Sequence, residues 1–231
     1  MHPQNAAARV AGQRDAGGAE VGSLCRVDLV TATRAALTHR TEASETAREI
    51  EEEQCRGRLL RQPEIDFLIK RGVPPGAILR DGYGRWSMLR IDEVVRECAG
   101  MFEFSRYSPD QKSLRAYTFV GTDRYGEPCD VVAWDPKSDE LLSWSARAIV
   151  AGEDELVAPR LEGGLRVHAS ALDWLRAGRR GVLVVDWERA GPLLRDEGSL
   201  LVDDKKLGRR LLDAISITPK ILLDEKPRAR E

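Results

Sequence analysis

Apolar and polar positions change their spacing along the chain, and the changes mark its organisation. Residues 1 to 40 hold no sustained period. Ala, Gly, Gln and Arg fill the chain to about residue 22, and Leu24, Val27, Val30 and Leu37 then stand apart among Thr and Arg. This predicts a disordered or poorly ordered N-terminal segment. Residues 41 to 62, TEASETAREIEEEQCRGRLLRQ, place Glu and Arg three and four apart, which predicts a charged helix. Residues 63 to 115 predict a small α/β element. A short helix starts at Pro63 and stops at Gly72, ahead of Pro74-Pro75-Gly76. A strand follows over Trp86 to Ile91, then a helix capped by Asp92 over Glu93 to Cys98 and ended by Gly100.

From Ala116 the spacing becomes that of strands. AYTFV, CDVVAW and LLSW are separated by the turn texts GTDRYGEP and DPKSDE, an antiparallel meander. Residues 165 to 215 then alternate strand and helix. LRVH, GVLVVD and SLLVD predict strands. ALDWLRAG, entered at Ser170 with Asp173 as an imperfect capping box, predicts the first helix. ERAGPLLRD predicts a weak helix interrupted by Pro192, where an irregular loop would return the next strand antiparallel. DKKLGRRLLDAI predicts a helix with Leu207, Leu211, Leu212 and Ile215 on one stripe. Residues 216 to 231 form a C-terminal tail. The expected fold is α/β with a mixed α+β N-terminal part: an antiparallel strand meander, then a small parallel β-α-β-α-β sheet.

Composition narrows the function classes. The chain has 231 residues, 36 Lys and Arg against 38 Asp and Glu, and a formal net charge of −2. Bulk charge therefore does not attract nucleic acid, although a local basic patch is compatible with it. The longest aliphatic run, Val182 to Val185, is far short of the roughly 20 residues that span a bilayer. No apolar segment follows Arg9 and Arg14, so no export signal is read and a cytoplasmic location is expected. Cys25, Cys55, Cys98 and Cys129 stand too far apart for a zinc ribbon and read as reduced, buried thiols.

In open α/β sheets, ligands bind outside the carboxyl ends of the strands. His168, Asp186, and Asp203 with Asp204 follow the three predicted strands. His168, Asp186 and Asp203 are the candidate catalytic set, and Asp186, Asp203 and Asp204 the candidate metal ligands. Clustered carboxylates take a hard cation, magnesium or manganese, if the acidic site is intact; otherwise no cofactor is expected. Helix capping and an ordinary hydrogen-bonded histidine explain the same residues without chemistry. Lys205, Lys206, Arg209 and Arg210 are the candidate nucleic-acid contacts. Two further basic groups are open to the same reading or to that of a plain solvated surface. One is Arg56, Arg58 and Arg61; the other is Lys70, Arg71, Arg80, Arg85 and Arg90 beside Tyr83 and Trp86. No G-x-S-x-G and no Walker loop occur, and GYGRW lacks the context of a dinucleotide site.

The segment VHASALDWLRAG, followed by LLVDDKKLGRRLL, resembles the Toprim domain of primases and topoisomerases. FLIKRGVPPGAIL and AYTFVGTDRYGEPCDVVAWDP are similar to the text ahead of that domain in phage-type primases. The resemblance covers about residues 60 to 215. It implies a metal-binding fold with a glutamate after the first strand and an Asp-x-Asp pair after the third. Here His168 stands in the glutamate's place, Asp203 and Gly208 keep register, and Lys205 replaces the second aspartate. The implied function is a degenerate, non-catalytic module of DNA metabolism, with DNA or a replication protein as partner. The alternatives are a metal-dependent phosphoester enzyme using His168, Asp186 and Asp203, and a protein-protein interaction scaffold with exposed Trp residues.

Overall fold

A computed structural model of the chain describes residues 45–79, 88–98, 100–158 and 163–216. The expectations for residues 1 to 40 and for the C-terminal tail after Ser216 lie outside them, as do Arg80, Tyr83, Arg85 and Trp86.

Helix α1 covers residues 45–56. It is shorter than the 41–62 reading, because Gly57 ends it and Arg58–Leu59 is a strand, β1. Its inward stripe is Ala47, Ile50, Glu53 and Gln54, so polar groups share the buried face. They are satisfied there: Glu53 takes the Arg106 guanidinium at 2.6 Å, and Gln54 donates to the Met88 carbonyl at 2.8 Å. Helix α2 runs over Gln62–Ile69 with Pro63 in its first turn. Gly72, at φ +85°, turns the chain out toward the four-residue helix α3, Pro75–Ile78.

The helix expected from Asp92 is a strand, β2, over Arg90–Arg96. The β-branched pair Val94-Val95 favours extended backbone. Both edges of β2 are occupied, by β4 on one side and by β1 and β3 (Phe102–Phe104) on the other. Asp92 caps nothing and instead pairs with Arg106 at 2.8 Å. Strands β4 (Leu114–Thr122), β5 (Pro128–Asp135) and β6 (Glu140–Ser143) form the expected meander. The strand pairs of the first sheet are antiparallel, in the order β1-β2-β4-β5-β6 with β3 against β2, and one isolated parallel bridge joins Met101 to Ser143. Side chains alternate across it. Tyr117, Phe119, Val132 and Trp134 enter one core, and Ala116, Val131, Ala133 and Leu142 enter another with Phe102 and Phe104.

The second sheet has the order β10-β8-β9-β7. Strands β8 (Leu165–His168), β9 (Val182–Val184) and β10 (Leu200–Leu201) are parallel, with β8 in the middle. The sheet as a whole is mixed, not parallel: β7, Val150–Ala151, adds antiparallel to the free edge of β9. The cause lies in IVA at residues 149–151, which no strand was assigned to. Val150 and Ala151 are buried, and the Ile149 carbonyl accepts from the Val185 and Asp186 amides at 3.0 Å each.

Helix α4 (Ala171–Arg176) packs Trp174 and Leu175 on one face of this sheet. Helices α5 (Trp187–Arg195) and α6 (Lys205–Ile215) pack Ala190, Leu194, Leu207 and Leu211 on the other. Helix α5 runs through Pro192 instead of breaking into a loop, and β10 returns parallel. Close packing holds α5 against α6: a Cβ on Gly191 would stand 2.1 Å from the Ala214 carbonyl oxygen. On α6, Leu212 departs from the expected stripe and is exposed. The imperfect box at α4 does not form, since Asp173 pairs with Arg176 and the Ser170 hydroxyl donates to Asp139.

Candidate functional site

The parallel direction of β8, β9 and β10 puts the residues that follow them at one edge of the second sheet. His168 ends β8 and is buried. Its Nε2 lies 3.1 Å from the Arg180 carbonyl oxygen. A carbonyl only accepts, so Nε2 carries a proton. Burial lowers the pKa of His168; the Arg180 carbonyl and Asp203 oppose this without cancelling it.

Asp203 follows β10 and pairs with Arg166 of β8 at 2.6 Å. His168 and Asp203 therefore line a common cavity, whereas Asp186 does not. Asp186 is the N-cap of α5: it accepts from the Glu188 and Arg189 amides and takes the Arg189 guanidinium at 2.5 Å. Burial disfavours its charge, but these partners outweigh burial and hold the carboxyl below its ordinary value. Asp204 caps α6 through the Leu207 amide at 2.8 Å.

These donors do not fit a divalent cation. A magnesium or manganese ion needs several free oxygen ligands around one point. Asp186 lies outside the cavity that Asp203 and His168 line and is held by Arg189, Asp204 is spent on a helix end, and the protonated Nε2 of His168 faces a carbonyl. Among the described residues, no three His, Cys, Asp or Glu side chains converge as a metal site.

The cavity, of about 740 Å³, lies on the α4 side of the sheet. Arg166 and His168 reach it because alternate residues of β8 face the same way; Leu165 and Val167 face the α5–α6 core instead. Arg176 and Asp173 enter from α4, and Arg180 from the turn that follows. None of the three arginines was singled out in the sequence. The alternation in LRVH carried a signal for Arg166; nothing local distinguished Arg176 or Arg180.

The other face of the sheet carries the cations of α6. Lys205, Lys206 and Arg209 are exposed, and none forms an ion pair among the described residues. Arg210 stacks its guanidinium 3.8 Å from the Trp187 ring centroid, and burial lowers its pKa. Of the other basic groups, Arg61 and Lys70 are also exposed and form no ion pair among the described residues, whereas the other described members have partners. Arg56 and Arg58 pair with Glu53 and Glu64, Arg71 lies over Phe67, and Arg90 donates to the Gly57 carbonyl. Of the tryptophans, Trp134 and Trp174 are buried, and Trp144 and Trp187 are half-buried. Cys55 and Cys98 are exposed rather than buried, Cys129 is half-buried, and Cys25 lies outside the described residues.

No helix among the described residues is long and apolar enough to cross a membrane. Compared with family models, curated proteins and solved structures, the chain matches none.

Proposed function

We propose that the chain is a non-catalytic nucleic-acid-binding module of DNA metabolism, in which a Toprim-like β-α unit has exchanged metal ligands for fixed cations. The observation that carries this reading is the first turn and a half of α6. Lys205, Lys206 and Arg209 stand there without ion pairs among the described residues, and no acidic residue occupies the first turn. A helix N-terminus favours negative charge, so two lysines there oppose the helix dipole by roughly 0.3–1 kcal/mol each. Asp204 already caps this helix end through the Leu207 amide, so a phosphate would be held there by the Lys205 and Lys206 ammonium groups themselves, which it would pair. Local rules are most often broken where a partner supplies the compensation.

Two features agree with the reading. The parallel strands in the order β9-β8-β10 align their carboxyl ends, as the resemblance implies. The groups at the positions where that family holds a metal are here saturated by Arg166 and the Arg180 carbonyl. The test is fluorescence anisotropy with labelled single-stranded and duplex DNA at low ionic strength. Binding that weakens with added salt, and weakens further in the Lys205→Glu, Lys206→Glu double variant, is expected. Absence of binding to either form at low salt refutes the proposal.

A further inference from the structure

We infer that the cavity on the α4 side of the second sheet is a binding site for a small phosphorylated sugar, distinct from the cations of α6. Its position is the first argument. The connection leaving β8 passes through α4 on one face, while those through α5 and α6 pass on the other. The strands β8 and β10 are neighbours whose onward connections diverge, and such a switch leaves a crevice between them at the carboxyl edge. His168 and Asp203 line the cavity at that edge, and Gly164, Arg180 and Gly181, which precede β8 and β9, line its other end. Its volume, about 740 Å³, is within the range of ligand sites.

Its chemistry is the second argument. Three guanidiniums, from Arg166, Arg176 and Arg180, share the lining with three carboxylates, from Glu155, Asp173 and Asp203. The formal charges cancel, so a bare polyanion gains little there. A ligand that combines an anion with several hydroxyl donors matches both sets: phosphate oxygens accept from arginine, and sugar hydroxyls donate to the carboxylates. Among the described residues that line the cavity there is no Phe, Tyr or Trp, so none of them gives a nucleobase a large stacking surface.

Arg166 and Arg180 are available to such a ligand, while Arg176, whose Nε donates to the Arg71 carbonyl at 2.6 Å, offers its terminal nitrogens. Arg180 makes no ion pair among the described residues. The Arg166–Asp203 and Arg176–Asp173 pairs are largely exposed, with side-chain exposures of 40%/61% and 45%/54%. Exposed pairs are worth about 0–1 kcal/mol, so exchanging a carboxylate for a phosphate costs little. His168 holds the Arg180 backbone in place through its Nε2–H bond.

Titration of the ¹⁵N-labelled full chain with ribose 5-phosphate, inorganic phosphate and ribose tests the inference. Ribose 5-phosphate is expected to produce saturable shifts at Arg166, Arg180 and Gly181, and to bind about tenfold or more tightly than inorganic phosphate. Losing a charge-assisted contact in Arg180→Glu or Arg180→Ala should weaken it by about tenfold. The Lys205→Glu, Lys206→Glu variant should bind it unchanged, whether or not α6 contacts nucleic acid. Absence of saturable shifts, equal binding of inorganic phosphate, or full affinity in both folded Arg180 variants overturns the inference.

Discussion

Asp130 is fully buried in β5, yet it sits at a junction of the two sheets. Its carboxylate accepts from the amides of Ser145, Arg147 and Ala148 at 2.9, 2.9 and 3.0 Å, and from the Ser143 hydroxyl. These contacts shape the segment that leads from β6 into β7, the edge strand of the second sheet. The Ala146 carbonyl in that segment also accepts from Arg189 of α5 at 2.6 Å. Asp130→Ala strips the Ser145, Arg147 and Ala148 amides of the segment, and the adjoining Val131 amide, of this acceptor. The Ala148 amide is buried and loses its partner outright, at about 1–3 kcal/mol. The Ser145 and Arg147 amides lie nearer solvent and recover part of their bonding from water, leaving roughly 1 kcal/mol each. The sum, roughly 3–5 kcal/mol, is a large share of the typical stability of about 5–15 kcal/mol. Equilibrium urea unfolding measures it, with Asp110→Ala on the exposed loop as a control that should stay within about 0.5 kcal/mol of wild type. A loss below about 1 kcal/mol for Asp130→Ala would refute the idea that this carboxylate organises the junction.

Gly181→Ala should disrupt the second sheet, since Gly181 has φ +77° and a Cβ would stand 2.3 Å from the Arg166 carbonyl oxygen; a thermal midpoint equal to wild type contradicts this. His168 should make the fold sensitive to mild acid. Burial lowers its folded-state pKa, so the unfolded chain binds more protons there, and the stability contribution is complete above 6.5 and lost as pH falls below it. Replacing it in His168→Gln should flatten the stability profile between about pH 7 and 5 relative to wild type; an unchanged slope is the contrary result. Cys129 should resist alkylation at pH 8, because burial chiefly, with Asp130 nearby, pushes its thiol up to about 12. Cys55 and Cys98 are exposed and should react first, as mass spectrometry of partially labelled protein can establish.

The sequence was most legible where pattern and packing agree. GVLVVD is apolar on both faces and becomes β9, buried at Val182, Leu183 and Val184. The meander was readable because each turn carries its own chemistry: Asp123 accepts from the Tyr125 and Glu127 amides, and Asp135 from the Lys137 amide. Readability failed where a partner decides the conformation. Glu93 to Cys98 carries helix-compatible residues, but the neighbours on both edges of β2 impose a strand. β7 has two residues and exists only through its pairing with β9. Within the candidate site, the alignment of His168, Asp186 and Asp203 followed from strand alternation. The partners that saturate these groups did not, since Arg166 and Asp203 are 37 residues apart. Asp130 was read only as part of a strand, for the same reason: apart from Val131, its partners lie 13 to 18 residues downstream.

The central claim, that α6 meets a nucleic-acid backbone through direct ionic contacts, is tested most directly by salt dependence. The affinity of the wild-type chain for one duplex oligonucleotide is to be measured across a range of potassium chloride concentrations, beside that of the Lys205→Glu, Lys206→Glu, Arg209→Glu variant. Each phosphate contact contributes about 0.9 to the slope of log affinity against log salt. Removal of three contacts should therefore make the slope shallower by about 2.7. Two parallel lines, with the variant binding as steeply as the wild type, would contradict the account.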